Sequence, residues 1–403
     1  MNIKVSIIIP SYNRYPLNLL SLYSLENQEF DLSKMEVILI DDHSTDQTTN
    51  LKSYKPPYHF RYIRNNNKNL GRSRTRNLGI KLARGEILIF LDAEVIVEPN
   101  FVKAHYQQHL SKESLVCIGK QYKKLYSCLL PRFNQKQIEQ VSSILQKKPR
   151  VQKRIMREIG TKSLDGKNFN QSIRNIKQPI QLLFKEDIKS INVLKDFSTN
   201  AMEYNNLLKA KANLPFLPWT SCVTMNLSIR KTVIEKVGGF EETFIGWGLE
   251  DYELGFKLYK SGVKIVVVNV TVYHQEHPMN REKIVEEAKN LVKFQRKHPC
   301  IDILVLSLKY LIVPNRLKVM NDVVGEFYSL PIGQYSLFKK EIFTMLEKIS
   351  LLKADEKKIT NLLTGESSAH IAAKRKNLNV EREKLKKAGF EKLVLLMDLL
   401  MKQ

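Results

Sequence analysis

The chain has 403 residues, 43% of them hydrophobic and 26% charged, with 16 glycines and 14 prolines. These proportions suit a folded protein of two or three domains and exclude a mainly disordered, collagen-like or linker-like chain. Sixty-five basic against 41 acidic residues give a net charge of +24, which favours polyanionic partners: nucleic acid, an anionic membrane face or phosphorylated substrates.

The N-terminal residues enter an apolar run at once, over 5–10, without the length or cleavage site of a signal peptide. That run and its polar end, Ser11-Tyr12-Asn13-Arg14, predict a first strand, followed by a helix over 17–27. A second strand over 35–40 ends in Asp41-Asp42-His43-Ser44-Thr45-Asp46. Further strands are predicted over 60–63 and 86–91, with a helix over 72–83 between them. The last strand ends in Asp92-Ala93-Glu94. Apolar strands alternating with amphipathic helices indicate an α/β fold with a parallel sheet covered on both faces. Ligands of such sheets bind beyond the carboxyl ends of the strands, where the polar clusters 11–14, 41–46 and 92–94 fall.

The texture changes over 130–210, which holds 16 basic and 7 acidic residues. It is broadly helical with loops, as over 171–180, and predicts an insertion or lid. The α/β texture returns after Pro215, with a strand over 222–229, helices over 231–237 and 251–261, and a strand over 264–272. Beyond 280 the chain reads as mostly helical, as over 282–298 and 381–401. The best apolar stretch, 301–314, is interrupted by Asp302, Ser307 and Lys309 and falls short of the roughly 20 apolar residues of a membrane span. Cys117, Cys128, Cys222 and Cys300 form no CxxC pair, so neither a disulfide framework nor a zinc site is expected. The expected location is cytoplasmic, at most peripheral at the inner face of the membrane.

Two carboxylates spaced i, i+2 at a strand end, Asp92 and Glu94, can turn toward one divalent cation such as Mg²⁺ or Mn²⁺. In isolation such a triplet is more often a solvated turn. A second constellation is Gly246-Trp247-Gly248-Leu249-Glu250-Asp251, followed by His274 and His277. The glycines allow close approach of a ligand, and Trp247 offers a flat face to a sugar ring. Glu250 and Asp251 stand at a helix N-terminus, which favours their ionised form, as a general base requires. Helix capping is the competing role for these acids. A lone histidine such as His274 at a strand end is more often structural, but with a carboxylate site elsewhere in the fold it is also a candidate ligand.

These strings resemble a known family. Val-Ser-Ile-Ile-Ile-Pro-Ser-Tyr-Asn-Arg over 5–14, Val-Ile-Leu-Ile-Asp-Asp-His-Ser-Thr-Asp over 37–46, Asn-Leu-Gly-Arg-Ser-Arg-Thr-Arg-Asn-Leu-Gly over 69–79 and Gly-Glu-Ile-Leu-Ile-Phe-Leu-Asp-Ala-Glu over 85–94 are similar to the nucleotide-binding half of a GT-A glycosyltransferase of family 2. Residues 218–278 resemble the acceptor-side segment of galactosyl- and polypeptide GalNAc-transferases, with its Trp-Gly-x-Glu-Asp hallmark. The resemblance covers a little under half of the chain. It implies a GT-A (Rossmann-like) domain over 1–280, with a nucleotide-sugar half over 1–115, the basic helical insertion over 130–210 and an acceptor half over 215–280. A helical C-terminal region follows over 281–403.

The resemblance also implies roles. Pro10, Tyr12 and Arg14 border the nucleotide, and Asp41 or Asp42 recognises the base. Arg76, with Arg72 nearby, faces the base or the diphosphate. Asp92 contacts ribose and metal, Glu94 ligates Mn²⁺ or Mg²⁺, and His274 is the third ligand, with His277 its rival. Glu94 stands where the family usually has Asp. Asp251 is the catalytic base, with Glu250 holding acceptor or donor hydroxyls and Trp247 and Gly248 lining the sugar side. The implied reaction is transfer, with inversion, of a hexose or N-acetylhexosamine from a nucleotide sugar, expected to be a UDP-sugar, to a surface glycan or lipid-linked precursor. A peptide side chain is the alternative acceptor, and a silent sugar-nucleotide or polyanion-binding module the alternative class.

The densest basic cluster, Lys147, Lys148, Arg150, Lys153 and Arg154, is either a solvated helix face or a dock for anionic lipid headgroups or a phosphorylated acceptor. No nucleic-acid motif accompanies it, so no nucleic acid is expected. The C-terminal apolar stripe Leu385, Phe390, Leu393, Leu396, Leu399 and Leu400 is intramolecular core or a homodimer contact.

Overall fold

In the computed structural model, which describes residues 2–65, 68–111, 114–160, 166–278 and 283–403, the leading apolar runs become strands, three of them buried on both faces and the one over 59–64 half-buried. β1 (Val5–Ser11), β2 (Met35–Asp41), β3 (His59–Arg64) and β4 (Ile87–Leu91) run parallel in the order β3-β2-β1-β4. Along β1 and β2, Ile7, Ile9, Val37 and Leu39 pack into one core cluster, while Ile8, Ile38 and Ile40 pack into another. The period of two thus splits a continuous apolar run between two covered faces. Helices α1 (Leu17–Leu25) and α2 (Arg72–Leu82) close the connections between these strands.

The sheet continues through β5 (Val95–Val97), β6 (Leu115–Leu125) and a further series of strands. β7 (Cys128–Leu129) and β8 (Ile180–Gln181) form a separate small ribbon, and β9 (Ser198–Asn200) pairs with β6. β10 (Asn226–Arg230) lies antiparallel between β4 and β6, and β11 (Lys264–Gln275) lies parallel to β6 and antiparallel to β5. The strand predicted over 222–229 therefore starts later. Residues 218–221 wind as a 3₁₀ turn, and the Cys222 and Asn226 amides bond back to Trp219 and Val223, removing donors that a ladder would need. The strand predicted over 264–272 runs three residues further, because His274 and Gln275 still find ladder partners in Lys124 and Leu125.

Contacts divide the chain into two units: Met1–Ala212, Trp219–Glu241 and Leu254–Asn280 form one, and Asn213–Pro218, Glu242–Glu253 and Arg281–Gln403 the other. In the first, the basic stretch packs into a core shared with Leu17, Leu20, Ile96 and Tyr273, with Phe133, Val141, Ile155, Phe169 and Leu194 among its buried members. Residues 161–165 of that stretch lie outside the described ones. Its charges are partly committed: Arg154 bonds the Asp187 carboxylate at 2.7 and 3.2 Å and the Leu182 carbonyl at 2.8 Å, and Lys148 pairs with Asp196 at 2.6 Å. Lys147, Arg150 and Lys153 are exposed.

The second unit is helical. The helix predicted over 282–298 spans Lys283–Lys297, with Glu282 outside the described residues, and the helicity predicted over 381–401 is divided between Ser368–Lys387 and Glu391–Met401. Gly389 takes φ +84° at the break, a left-handed stop that suits glycine. Leu385, Leu393, Leu396 and Leu400 of the apolar stripe are buried within this unit. Among the described residues, no helix is long and apolar enough to cross a membrane.

A buried polar relay fixes β10. His105 meets Ser228 Oγ and Asn226 Oδ1, each at 2.8 Å, and His109 meets the same Ser228 Oγ at 2.9 Å. Burial pushes both imidazoles down to about 4; His109 is lowered further by Arg230. Their folded pKa lies below the unfolded value of about 6.5, so the unfolded chain takes up the protons first. The stability they confer is complete above about pH 6.5 and is lost as the pH falls toward 4, at roughly 3 kcal/mol per histidine. Urea midpoints should fall between pH 7.5 and pH 5, with a smaller slope in His105→Gln. Equal slopes in both proteins would exclude this source.

Candidate active site

The carboxyl ends of β1 and β2 are tied together by their own polar residues. Asn13, at φ +52°, accepts from the Thr45 amide at 2.8 Å, and Asp46 accepts from the Tyr15 amide at 2.8 Å. Asp41 is fully buried, and its carboxylate accepts from the Ser44 amide at 2.8 Å and the Tyr62 hydroxyl at 2.5 Å. Asp42 accepts from the amides of Leu70 and Gly71 at 2.8 and 2.9 Å, and so shapes the loop that leads into α2. Tyr12 is 46% exposed at the end of β1, beside the half-buried Pro10 and Arg14.

The acid triplet after β4 divides its two carboxylates between different partners. Asp92 receives Arg76 Nη2 at 3.2 Å. Arg76 is itself buried on α2, with its guanidinium 5.5 Å from the Phe240 ring centroid; Arg72 begins that helix and is half-buried. Glu94 receives Arg14 Nε at 3.2 Å and lies 3.1 Å from His277 Nε2. Burial alone would raise the Glu94 carboxyl, but the Arg14 and His277 charges, then His274, outweigh it and hold the group well below the usual carboxylate range.

Glu94, His274 and His277 each present one ligand atom, and these atoms all lie within 4.8 Å of one another. Asp92 is not one of the three. Octahedral ligands about 2.2 Å from a metal are separated by roughly 3.1 Å when adjacent and 4.4 Å when opposite, so the spacing fits one ion. One carboxylate and two imidazoles suit Mn²⁺ and its transition-metal neighbours better than Mg²⁺, which prefers oxygen. Both histidines that the sequence set as rivals thus stand in the same group.

The reason lies in the end of β11. The Gln275 amide bonds the Glu94 carbonyl at 2.9 Å, and its buried side chain bonds Ser127 at 2.6 Å and the Leu17 carbonyl at 2.8 Å. Strand alternation places His274 and Glu276 on the other face, where His274 Nδ1 and Glu276 Oε1 are 3.3 Å apart. Burial would lower His274, but its bond to Glu276 and the Glu94 charge raise it overall. Burial would likewise raise Glu276, yet His274 leaves it lowered. The Glu276 partnership and the Arg14–Glu94 pair were absent from the sequence reading. The i, i+2 spacing of His274 and Glu276 was the available signal.

In the second unit, the loop before α3 (Glu250–Lys260) is held by α4 (Lys283–Lys297). The Trp247 amide donates to Glu286 at 2.8 Å, and Asn290 Nδ2 donates to the carbonyls of Ile245 and Gly248 at 3.1 and 3.0 Å. Gly248 takes φ +101°, and a Cβ there would lie 3.1 Å from Glu287 Cγ; both conditions favour glycine. Trp247 is half-buried, with Lys283 Nζ 5.3 Å from its ring centroid. Glu250 is buried and Asp251 half-buried in the first turn of α3. Asn290→Ala removes bonds from a buried side chain to this partly exposed loop and should destabilise the unit by about 2 kcal/mol, with faster amide exchange over 245–250. Wild-type protection there would show that the clamp is dispensable.

The description "Glycosyl transferase family 2" matches residues 6–173, and "N-terminal domain of galactosyltransferase" matches 208–278. An uncharacterized glycosyltransferase of Bacillus subtilis, YfnE, is 30% identical over 310 residues, 76% of this chain and 74% of that protein. The validoxylamine A glucosyltransferase of Streptomyces hygroscopicus subsp. jinggangensis is 25% identical over 303 residues, 74% of this chain and 61% of that protein. The crystal structure of Staphylococcus aureus TarS aligns over 87% of this chain and 49% of its own, at 16% identity with a TM-score of 0.44.

Proposed function

The chain belongs to glycosyltransferase family 2, and from that premise we propose that it transfers a hexose or N-acetylhexosamine from a UDP-sugar to a hydroxyl of a surface glycan or its lipid-linked precursor, with inversion. The observation that carries this reading is the Glu94–His274–His277 group at the carboxyl ends of the strands, beside the buried Arg76–Asp92 pair. The name of the glucosyltransferase relative supports a hexose as the transferred group. Membership of an enzyme family disfavours the silent binding module.

In this proposal the first unit serves the donor. Tyr12, Pro10 and Arg14 border the nucleotide, and Asp42 orders the loop on its base side, while the fully buried Asp41 supports that loop from beneath. Asp92 meets the ribose, and Arg76 and Arg72 face the diphosphate. Glu94, His274 and His277 hold a divalent ion, which when bound would offset the charge that builds on the departing diphosphate. The second unit supplies the acceptor-side groups: Trp247 and Gly248 toward the sugar, Glu250 toward its hydroxyls, and Asp251 as the base that takes the acceptor proton. Lys147, Arg150 and Lys153, exposed on the insertion, attract an anionic acceptor or membrane surface.

A thermal-shift panel of nucleotide sugars with and without Mn²⁺ tests the proposal. A ligand that binds only the folded chain raises its melting temperature by mass action. The reading expects one UDP-sugar to stand out, and only with Mn²⁺; an unresponsive protein across the whole panel would contradict it.

A further inference from the structure

We propose that Glu276 is a positioning residue of the metal site, holding the His274 ring in the tautomer that can bind the ion. The inference rests on the metal reading above and goes beyond it. Glu276 Oε1 lies 3.3 Å from His274 Nδ1. A carboxylate is acceptor-only when ionised, so the bond places the ring proton on Nδ1 and leaves the Nε2 lone pair for a metal. The second ring reaches the same state by another route: His277 Nδ1 donates to the Pro278 carbonyl at 2.9 Å, leaving Nε2, which lies 3.1 Å from Glu94. Carboxylate–histidine–metal arrangements of this kind fix the tautomer and raise ligand basicity.

Glu276 is also held in place. Its amide donates to the Leu125 carbonyl at 2.8 Å, and its side chain is only 13% exposed. The preceding Gln275 anchors the strand through Ser127 and Leu17. Glu276 therefore acts through His274 and is not itself one of the three clustered ligands.

The experiment uses the full chain and the metal alone. Mn²⁺ binding is read from the loss of the free-ion EPR signal, and ligand geometry from the visible bands of bound Co²⁺. Glu276→Ala should weaken Mn²⁺ binding by about 10–100-fold and alter the Co²⁺ bands. Glu276→Gln, which keeps the shape and an acceptor oxygen, should lose less and guards against a folding defect, with the metal-free melting temperature as the check. If Glu276→Ala and Glu276→Gln bind Mn²⁺ like wild type while His274→Ala does not, Glu276 has no positioning role and the metal reading stands. If wild type itself binds no Mn²⁺, the metal reading fails and this inference falls with it.

Discussion

Asp251→Asn should lower sugar transfer by about 10²–10⁴-fold while leaving the affinity for the nucleotide sugar unchanged. The substitution keeps the size of the side chain and much of its hydrogen bonding, but removes the group able to accept a proton in the transition state. Asp251 belongs to the second unit, whereas the proposed donor residues belong to the first, so the two readouts should separate. Calorimetry with the nucleotide sugar and a transfer assay, run on the same preparations, make the comparison. Transfer near the wild-type rate would leave Asp251 as a helix-capping residue and return the role of base to Glu250 or to the substrate. Lost donor affinity would instead assign the 246–251 loop to the nucleotide.

Glu94→Gln should reduce activity by about 10²–10³-fold, the usual effect of removing one preorganised electrostatic contributor. It also abolishes the charge that Arg14 faces at 3.2 Å and that His277 Nε2 lies 3.1 Å from, so Arg14 loses its ionic partner. Asp92→Asn should be milder toward metal, since Asp92 pairs with Arg76 and stands outside the three-ligand group. Activity measured across a Mn²⁺ titration distinguishes the two: Glu94→Gln should need more Mn²⁺, and Asp92→Asn should not. Identical titration curves for wild type and Glu94→Gln would remove Glu94 from the metal site.

The strand-and-helix order of the first hundred residues was legible because apolar runs of five to seven residues, each ending in polar turns, encode both the strand and the end at which ligands gather. Residue type and spacing marked the acid triplet, and the resemblance marked the glycine-flanked Trp247. Other features depend on distant pairing. β11 extends to Gln275 only because β5 and β6 offer partners on both sides, and until that extension is known His274 and Glu276 do not share a strand face. Nothing local announces that Arg14 will meet Glu94, 80 positions later, or that Asn290 will hold the carbonyls of Ile245 and Gly248. The basic insertion was legible as charge but not as a core, because its buried residues pack together with sequence-distant Leu17, Leu20, Ile96 and Tyr273. Gly389 breaks the helix predicted over 381–401, a stop that the apolar stripe across it concealed.

The central claim joins a nucleotide to a metal at one set of strand ends. Calorimetric titration of UDP into the full chain, with Mn²⁺ present and then removed by EDTA, tests it most directly. The account predicts tight UDP binding with Mn²⁺, weakened at least about tenfold by chelation, as loss of a metal contact to phosphate implies. Equal UDP affinity in both conditions, or no binding in either, would contradict it.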